Sequence, residues 1–222
     1  MAQTQSPKVY GPFVRGVRFV ARLISPKYSC DYVPGDEPVV FVCRHLKMRG
    51  TYALVKWLSQ EAHPMSLSVF FNRETAYKHF REYTFTAREG KEVPKRHFIA
   101  WLTAVVTVWL EKSMKAIPVH RDSQAIKTMR EAMKWLQKGE SVMVWPDVDY
   151  AAEYDKVPCR LYPGFLVLGE MYLKRTGKEL KFVPLYIDDK NRVITAREPV
   201  VVNDFKAEAE AAAQVLAKRI DP

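Results

Sequence analysis

Short apolar segments alternate with helical segments along most of this 222-residue chain. This alternation constrains the fold more than any other feature of the sequence. Runs rich in β-branched residues, such as residues 39–44 and 141–145, predict buried strands, and the stretches between them carry helical periodicity. Strands that alternate with helices are typical of α/β proteins. We therefore predict a single α/β domain with a central, largely parallel β-sheet flanked by helices.

The predicted elements follow one another at short intervals, with no internal repeat and no long linker. Strands are predicted at residues 39–44, 67–71, 116–120, 141–145 and 182–187, and an edge hairpin at residues 188–191. Helices are predicted at residues 51–58, 98–110, 123–138, 164–174 and 207–220, and residues 73–97 are assigned to helix plus loop. Residues 123–138 show a strong amphipathic stripe, and Gly139 is expected to end that helix.

A basic amphipathic helix is predicted near the amino terminus. Four apolar residues recur there at helical spacing and three arginines fall on another face: Phe13, Val17, Val20 and Ile24, and Arg15, Arg18 and Arg22. Such a helix can lie in a lipid interface with its arginines at the phosphates. The alternative is a helix packed on the core of the domain with solvated arginines opposite. Residues 1–30 are therefore predicted as a basic amphipathic segment, and residues 31–222 as the α/β domain.

Charge and cysteine usage limit the classes of function. The net charge of +10 favours an anionic partner, which is nucleic acid, an acidic membrane or a phosphate-bearing substrate. No glycine-rich or aromatic recognition motif supports nucleic acid, so none is expected as a partner. Three cysteines without C-x-x-C spacing disfavour a disulfide framework and a zinc site. A reducing cytosol is therefore the expected compartment, and no metal ion is expected.

The chain is not expected to span a membrane or to carry a signal peptide. Residues 1–8 are polar, and no apolar run reaches the roughly 18–20 residues that a bilayer span needs. The longest run, residues 98–110, contains two threonines and ends at Glu111. It is predicted to form a buried helix.

Titratable residues stand at or just beyond the ends of several predicted strands. His45 follows the first strand, His120 and Arg121 close the third, and Asp147 and Asp149 follow the fourth. Since the carboxyl ends of parallel strands meet at one edge of the sheet, these groups should collect there. A histidine beside a carboxylate can form a general base. Cys43 should share a strand face with His45, so a cysteine nucleophile activated by this histidine is a further hypothesis. Structural roles are the alternative for each residue, including a turn role for the aspartates and a buried, inert role for Cys43.

The order of these blocks resembles the glycerol-phosphate and lysophosphatidate acyltransferases of the lysophospholipid acyltransferase superfamily. Those enzymes carry a histidine, four residues and an aspartate after the first strand. A later strand ends in an arginine, another ends in Phe-Pro-Glu-Gly, and a fourth block is an apolar strand containing proline. His45, Arg121, Val144-Trp145-Pro146-Asp147 and residues 182–187 match these blocks in order. The resemblance covers residues 39–187.

The resemblance implies transfer of a fatty acyl group from an acyl-CoA or acyl-carrier-protein thioester to a hydroxyl of a lysophospholipid or glycerol-phosphate-like acceptor. His45 would be the general base, Arg121 would meet the phosphate of the acceptor, and Pro146 and Asp147 would help to hold the acceptor. No cofactor is implied, because the thioester is already activated. The enzyme would be cytoplasmic and peripheral on the inner face of the membrane, with an anionic membrane surface as a further partner.

The chain departs from the family pattern at two positions. Gly50 stands where the family has its aspartate, and Val148 stands where a glycine is usual. Asp149 is the first candidate to replace the missing carboxylate and Asp147 the second. A glycine required for a close approach or a tight turn is the other explanation of Gly50.

Lys47 and Arg49, in the loop after His45, are candidates to bind phosphate, and a solvated loop is the alternative. The second hypothesis for function is a non-catalytic relative that binds lipid or acyl thioester in the same groove.

Overall fold

The computed structural model of the chain describes residues 8–46, 48–87, 96–120, 124–147 and 159–222. Within them lie seven α-helices: α1 (Pro12–Ile24), α2 (Arg49–Trp57), α3 (Arg73–Lys78), α4 (Arg96–Ser113), α5 (Ala125–Gln137), α6 (Val167–Thr176) and α7 (Phe205–Ile220). A π-helix, His79–Ala87, follows α3, and 3₁₀ turns occupy Ser68–Phe71 and Pro163–Leu166. The strands are β1 (Ser29–Cys30), β2 (Val39–Val42), β3 (His63–Leu67), β4 (Ile117–Val119), β5 (Val142–Val144), β6 (Lys181–Asp188), β7 (Val193–Ala196) and β8 (Val200–Val201).

The strands form one mostly parallel sheet in the order β1-β7-β6-β2-β5-β3-β4. Strands β6, β2, β5, β3 and β4 run parallel, whereas β7 and β8 each pair with β6 in the antiparallel sense. The pairing of β6 with β7 forms the expected hairpin, but the short strand β1 lies beyond β7 at the edge of the sheet. The prediction of an α/β fold with a largely parallel sheet flanked by helices is confirmed.

The strand β2 lies at the centre of the sheet and is buried on both faces. Val40 and Val42 pack in the core cluster that includes residues of α5, α6 and α7, whereas Val39 and Phe41 pack in a second cluster with Ala53 and Leu54 of α2. A strand covered on both faces needs apolar side chains at every position, which explains its continuous Val-Val-Phe-Val sequence. The chain emerging from this strand therefore leaves a rigid, central position.

The predicted strand at residues 67–71 is wrong. The strand β3 ends at Leu67, and the next four residues form a 3₁₀ turn. The strand β3 begins with His63 and Pro64, so its sequence lacks the apolar pattern from which a strand is predicted. His63 is fully buried, and its ring stacks on Trp135. Burial is tolerated because both ring nitrogens have partners: Nδ1 lies 2.9 Å from the Lys115 carbonyl oxygen and Nε2 lies 2.7 Å from Glu140 Oε2.

The expectation that residues 98–110 form a buried helix is also wrong. They form most of α4, yet Phe98, Trp101 and Trp109 are each at least half exposed. Only the narrow side with Ala100, Ala104 and Val108 is buried. Apolar content alone cannot distinguish a helix covered on all sides from a helix that presents apolar side chains outward. Among the described residues, none of the helices combines the length and hydropathy that a bilayer crossing requires.

A buried carboxyl group lies near the end of α4. The Oε1 atom of Glu111 accepts a hydrogen bond from the Ser66 hydroxyl at 2.8 Å, whereas Oε2 has no hydrogen-bond partner within the described part of the chain. Burial raises the pKa of Glu111 to about 7, against the opposing effect of the Ser66 hydrogen bond. The charged form of this side chain is therefore unfavourable in the folded protein.

We expect Glu111→Gln to stabilise the protein above neutral pH. The folded-state pKa of about 7 exceeds the ordinary value of 4.5, so the free energy of unfolding of the wild type falls as pH rises through this window. Glutamine imitates the protonated form and does not titrate, so the variant should gain about 3 kcal/mol at pH 8 and little at pH 4.5. Urea unfolding at both pH values measures this. If the variant and the wild type differed by the same free energy of unfolding at pH 8 and at pH 4.5, the raised pKa of Glu111 would be contradicted.

Candidate active site

The register of two neighbouring strands brings His45 and Asp147 together. In the parallel pair of β2 and β5, Val40 aligns with Val142 and Val42 with Val144. The Cys43 N–H continues this ladder by donating to the Val144 carbonyl at 3.0 Å. The same offset carried three residues past each strand places His45 beside Asp147. The site thus follows from the register of the most buried strand of the sheet.

The imidazole and the carboxylate are in hydrogen-bond contact. Nδ1 of His45 lies 2.6 Å from Oδ1 of Asp147, with the aspartate side chain only 4% exposed and the histidine side chain 24% exposed. A carboxylate only accepts hydrogen bonds, so the contact assigns the proton to Nδ1, and Nε2 of the neutral ring carries the lone pair. A buried carboxylate that orients a more accessible imidazole is the arrangement required of a general base.

The segment that carries Asp147 is held in place by backbone contacts with residues 161–162. Asp147 forms an isolated antiparallel bridge with Leu161, and the Tyr162 N–H donates to the carbonyl oxygen of the buried Pro146 at 2.9 Å. The centroids of the Trp145 and His45 rings are 6.0 Å apart. These contacts restrict where the carboxylate can move and help to keep it against the imidazole.

Gly50 lies where no other residue fits. A Cβ atom at this position would approach the Arg44 carbonyl oxygen to 2.4 Å and the Ile187 Cδ1 atom to 3.2 Å. The Gly50 N–H donates to the His45 carbonyl oxygen at 3.1 Å, so the first turn of α2 is packed against the backbone that carries His45. The connecting turn is tight, with Leu46 and Met48 at positive φ angles of 48° and 72°. Gly50 is therefore explained by close approach, and an aspartate would not fit this backbone.

Arg44 anchors the other side of the histidine backbone. It is buried, and its guanidinium forms an ion pair with Asp221, which follows α7 near the carboxyl terminus. The arginine is the first charged residue after an apolar strand. That signal indicates a partner for the charge, although the sequence alone does not identify Asp221.

The Cys43 thiol is buried and protonated. Burial, and to a smaller extent the charge of Asp147, raises the pKa of this thiol well above its ordinary value. A thiol in this state is a poor nucleophile. The inert, buried role is therefore the one that its surroundings favour.

The remaining predicted site residues are placed as follows. Arg49, at the start of α2, is exposed and forms an ion pair of 2.6 Å with Asp189 in the β6–β7 turn. Lys47, Arg121 and Asp149 lie outside the described residues, as does Val148. The structure thus brings together His45 and Asp147, the second-ranked candidate carboxylate. His45 and Asp147 each lie three residues beyond the ends of β2 and β5, and in a parallel pair this equal spacing favours Asp147 over Asp149. The predicted strands, which end at residues 44 and 145, do not give this equal spacing.

Within the described residues, no group of three or more potential metal-ligating side chains occurs. Comparison of the chain with protein-family models, curated proteins and solved structures produced no match. The interpretation of the site therefore depends on its geometry and on the order of the sequence blocks.

Proposed function

We propose that the protein is an acyltransferase that moves a fatty acyl group from an acyl-CoA or acyl-carrier-protein thioester to a hydroxyl of a lysophospholipid or glycerol-phosphate-like acceptor. The observation that carries the proposal is the contact of 2.6 Å between His45 Nδ1 and Asp147 Oδ1. Asp147 supplies an orienting carboxylate, which in the family that the chain resembles stands at the position of Gly50. Asp147 would then orient the imidazole, in addition to any contact with the acceptor.

The proposed reaction begins with proton transfer from the acceptor hydroxyl to Nε2 of His45. The hydroxyl oxygen attacks the thioester carbonyl carbon, and a tetrahedral intermediate forms. Its collapse breaks the carbon–sulfur bond, and the imidazolium returns the proton to the leaving thiolate. Asp147 stabilises the imidazolium between these two steps, as the buried aspartate does in serine hydrolases. The products are an ester and a free thiol, so atoms and charges balance.

The charge of the protein fits the proposed partners. The phosphates of coenzyme A, an acidic carrier protein, a phosphate-bearing acceptor and an anionic membrane are all negative, whereas the chain carries +10. Arg121 is proposed to bind the phosphate of the acceptor, as the sequence blocks imply. Lys47 and Arg49 are proposed to assist from the segment after His45, and Arg49 would do so from its ion pair with Asp189. The protein would act at the cytoplasmic face of a membrane, where such acceptors reside.

A non-catalytic protein that binds lipid or acyl thioester is the second candidate. Gly50 favours it, because this position carries the aspartate in the family that the chain resembles. Such a protein would bind its ligand beside His45 and Asp147 and would hold it without turnover. The two candidates make opposite predictions for a transfer assay.

The test is an acyl-transfer assay with labelled acyl-CoA and acyl-carrier protein as donors. Lysophosphatidate and glycerol 3-phosphate serve as acceptors. Transfer by the wild type that is lost in His45→Ala and kept in His97→Ala, an exposed histidine on α4, supports the enzyme. Binding of acyl-CoA without transfer to either acceptor would reject the enzyme and support the binding protein.

A further inference from the structure

Exposed large apolar side chains are concentrated on two helices. Of the eighteen such side chains among the described residues, twelve belong to α1 and α4. They are Phe13, Val17, Phe19, Val20, Leu23 and Ile24 on α1, and Phe98, Ile99, Trp101, Leu102, Val106 and Trp109 on α4. A concentration of this kind marks an interaction surface, whereas isolated apolar residues on a surface do not.

The two sets of side chains meet where the start of α1 contacts the last turns of α4. On α4, Phe98, Trp101 and Leu102 begin a stripe that continues at helical spacing through Val106 and Trp109. The stripe meets α1 where the Phe13 and Trp109 rings pack edge to face at 5.5 Å. We call these twelve side chains the α1–α4 apolar surface.

The arginines of α1 hold this helix with its apolar side outward. Arg18 donates to Glu61 Oε1 at 2.9 Å and to the Leu58 carbonyl oxygen at 3.1 Å. Arg22 donates to the Lys56 carbonyl oxygen at 2.7 Å. A helix packed on its own core through an apolar stripe would have the opposite orientation. The apolar residues of α1 are therefore presented outward by specific polar contacts.

The exposed charges on the two helices themselves are basic. The helix α1 contains no acidic residue, and the single acidic residue of α4, Glu111, is buried. Arg15 is exposed on α1, and Lys112 and Lys115 line a cleft of about 530 Å³ together with Phe13 and Trp109. A second copy of the chain docked on this surface would bring like charges together. An anionic lipid interface has the complementary charge.

We propose that the α1–α4 apolar surface docks the protein on the surface of an anionic lipid bilayer. The two helices would lie in the interface, with apolar side chains among the acyl chains and with Arg15, Lys112 and Lys115 at the lipid phosphates. Tryptophan suits this depth because its ring is apolar and its N–H remains near water. The proposal deepens the proposed function and rests on it for the membrane location of the enzyme.

Vesicle binding by matched variants tests the surface. The variant Trp101→Glu/Leu102→Glu alters side chains that are 53% and 46% exposed, and the control Ile126→Glu/Val215→Glu alters side chains on α5 and α7 that are 50% and 39% exposed. Both pairs change the net charge equally. In co-sedimentation with vesicles of phosphatidylcholine and phosphatidylglycerol, the first variant should lose about tenfold or more in partitioning. The control should lose clearly less.

Fluorescence of the unaltered protein gives a second measurement that does not depend on any variant. Vesicles with brominated acyl chains should quench its tryptophan emission, since Trp101 and Trp109 would lie at the depth of the bromines. Equal partitioning losses in the two variants, absence of quenching, or a wild-type protein that remains in the supernatant would each overturn the docking surface. Dimerisation through this surface without vesicle binding would also overturn it.

The transfer assay separates this proposal from the proposed reaction. With glycerol 3-phosphate, which is soluble, Trp101→Glu/Leu102→Glu should transfer acyl groups at the wild-type rate. If vesicle binding depends on the surface and no transfer occurs with any acceptor, the docking surface stands and the reaction fails. If transfer occurs and both variants bind vesicles alike, the reaction stands and the docking surface fails.

Discussion

Replacing Asp147 with asparagine is expected to lower the rate of acyl transfer by about a thousandfold or more, with little change in the fold. Asparagine keeps the size of the side chain but removes its charge. It can also present an N–H group to Nδ1 of His45, which favours the tautomer with the proton on Nε2. That tautomer cannot accept a proton from the acceptor. The buried position of Asp147 makes the loss severe, since little water is available to replace the carboxylate.

Rates of transfer by Asp147→Asn, by Asp149→Asn and by the exposed-site control Asp36→Asn measure this effect. Asp36 lies in the exposed segment before β2, so its replacement should leave the rate unchanged. The comparison also decides between the two aspartates that follow β5. A larger loss in Asp149→Asn than in Asp147→Asn would contradict the assignment of the orienting carboxylate to Asp147.

Placing an aspartate at position 50 with Gly50→Asp, as in the family that the chain resembles, is expected to damage the protein rather than to improve it. Any Cβ at this position would lie 2.4 Å from the Arg44 carbonyl oxygen, which is main chain and cannot swing away. Relief requires a shift of α2 or of the backbone between Arg44 and His45. Overpacking of this kind typically destabilises by about 1–3 kcal/mol and occasionally more. The displaced backbone would also move the His45 ring away from Asp147, so transfer should fall at least about a hundredfold.

Gly50→Ala separates the steric effect from the added charge. It should lower the free energy of unfolding in urea by about 2 kcal/mol or more. The control is Gly16→Ala in α1, where a Cβ meets no atom within 4 Å, and it should be neutral or slightly stabilising. If Gly50→Asp transferred acyl groups faster than the wild type, the account of Gly50 as a steric requirement would be wrong.

The sequence predicts the layers of this fold because its strand and helix periods are distinct. The run Val39–Val42 is apolar at every position, which predicts a strand covered on both faces. The predicted helix stop at Gly139 also matches, since this glycine has a positive φ angle after α5. In contrast, β3 begins with His63 and Pro64 and lacks an apolar pattern of its own. The polar partners that make His63 tolerable in the core come from distant parts of the chain.

The candidate site could be predicted only in part. Strand ends place His45 and Asp147 at the same edge of the sheet, but their contact depends on β2 and β5 being neighbours, and this is a property of the topology. The steric role of Gly50 depends on the path of the backbone after His45, which no local pattern reveals. The exposure of apolar side chains on α4 could not be predicted for a similar reason. Its sequence is apolar enough to be buried, and exposure is decided by what packs against it.

The measurement that tests the central claim most directly is the rate of acyl transfer by His45→Ala, Asp147→Asn and the double variant. Two residues that act as one catalytic unit show strongly non-additive losses. We therefore predict that the double variant is no slower than His45→Ala alone. Losses that multiply in the double variant, or an Asp147→Asn variant that transfers at the wild-type rate, would contradict the claim that His45 and Asp147 form one general base.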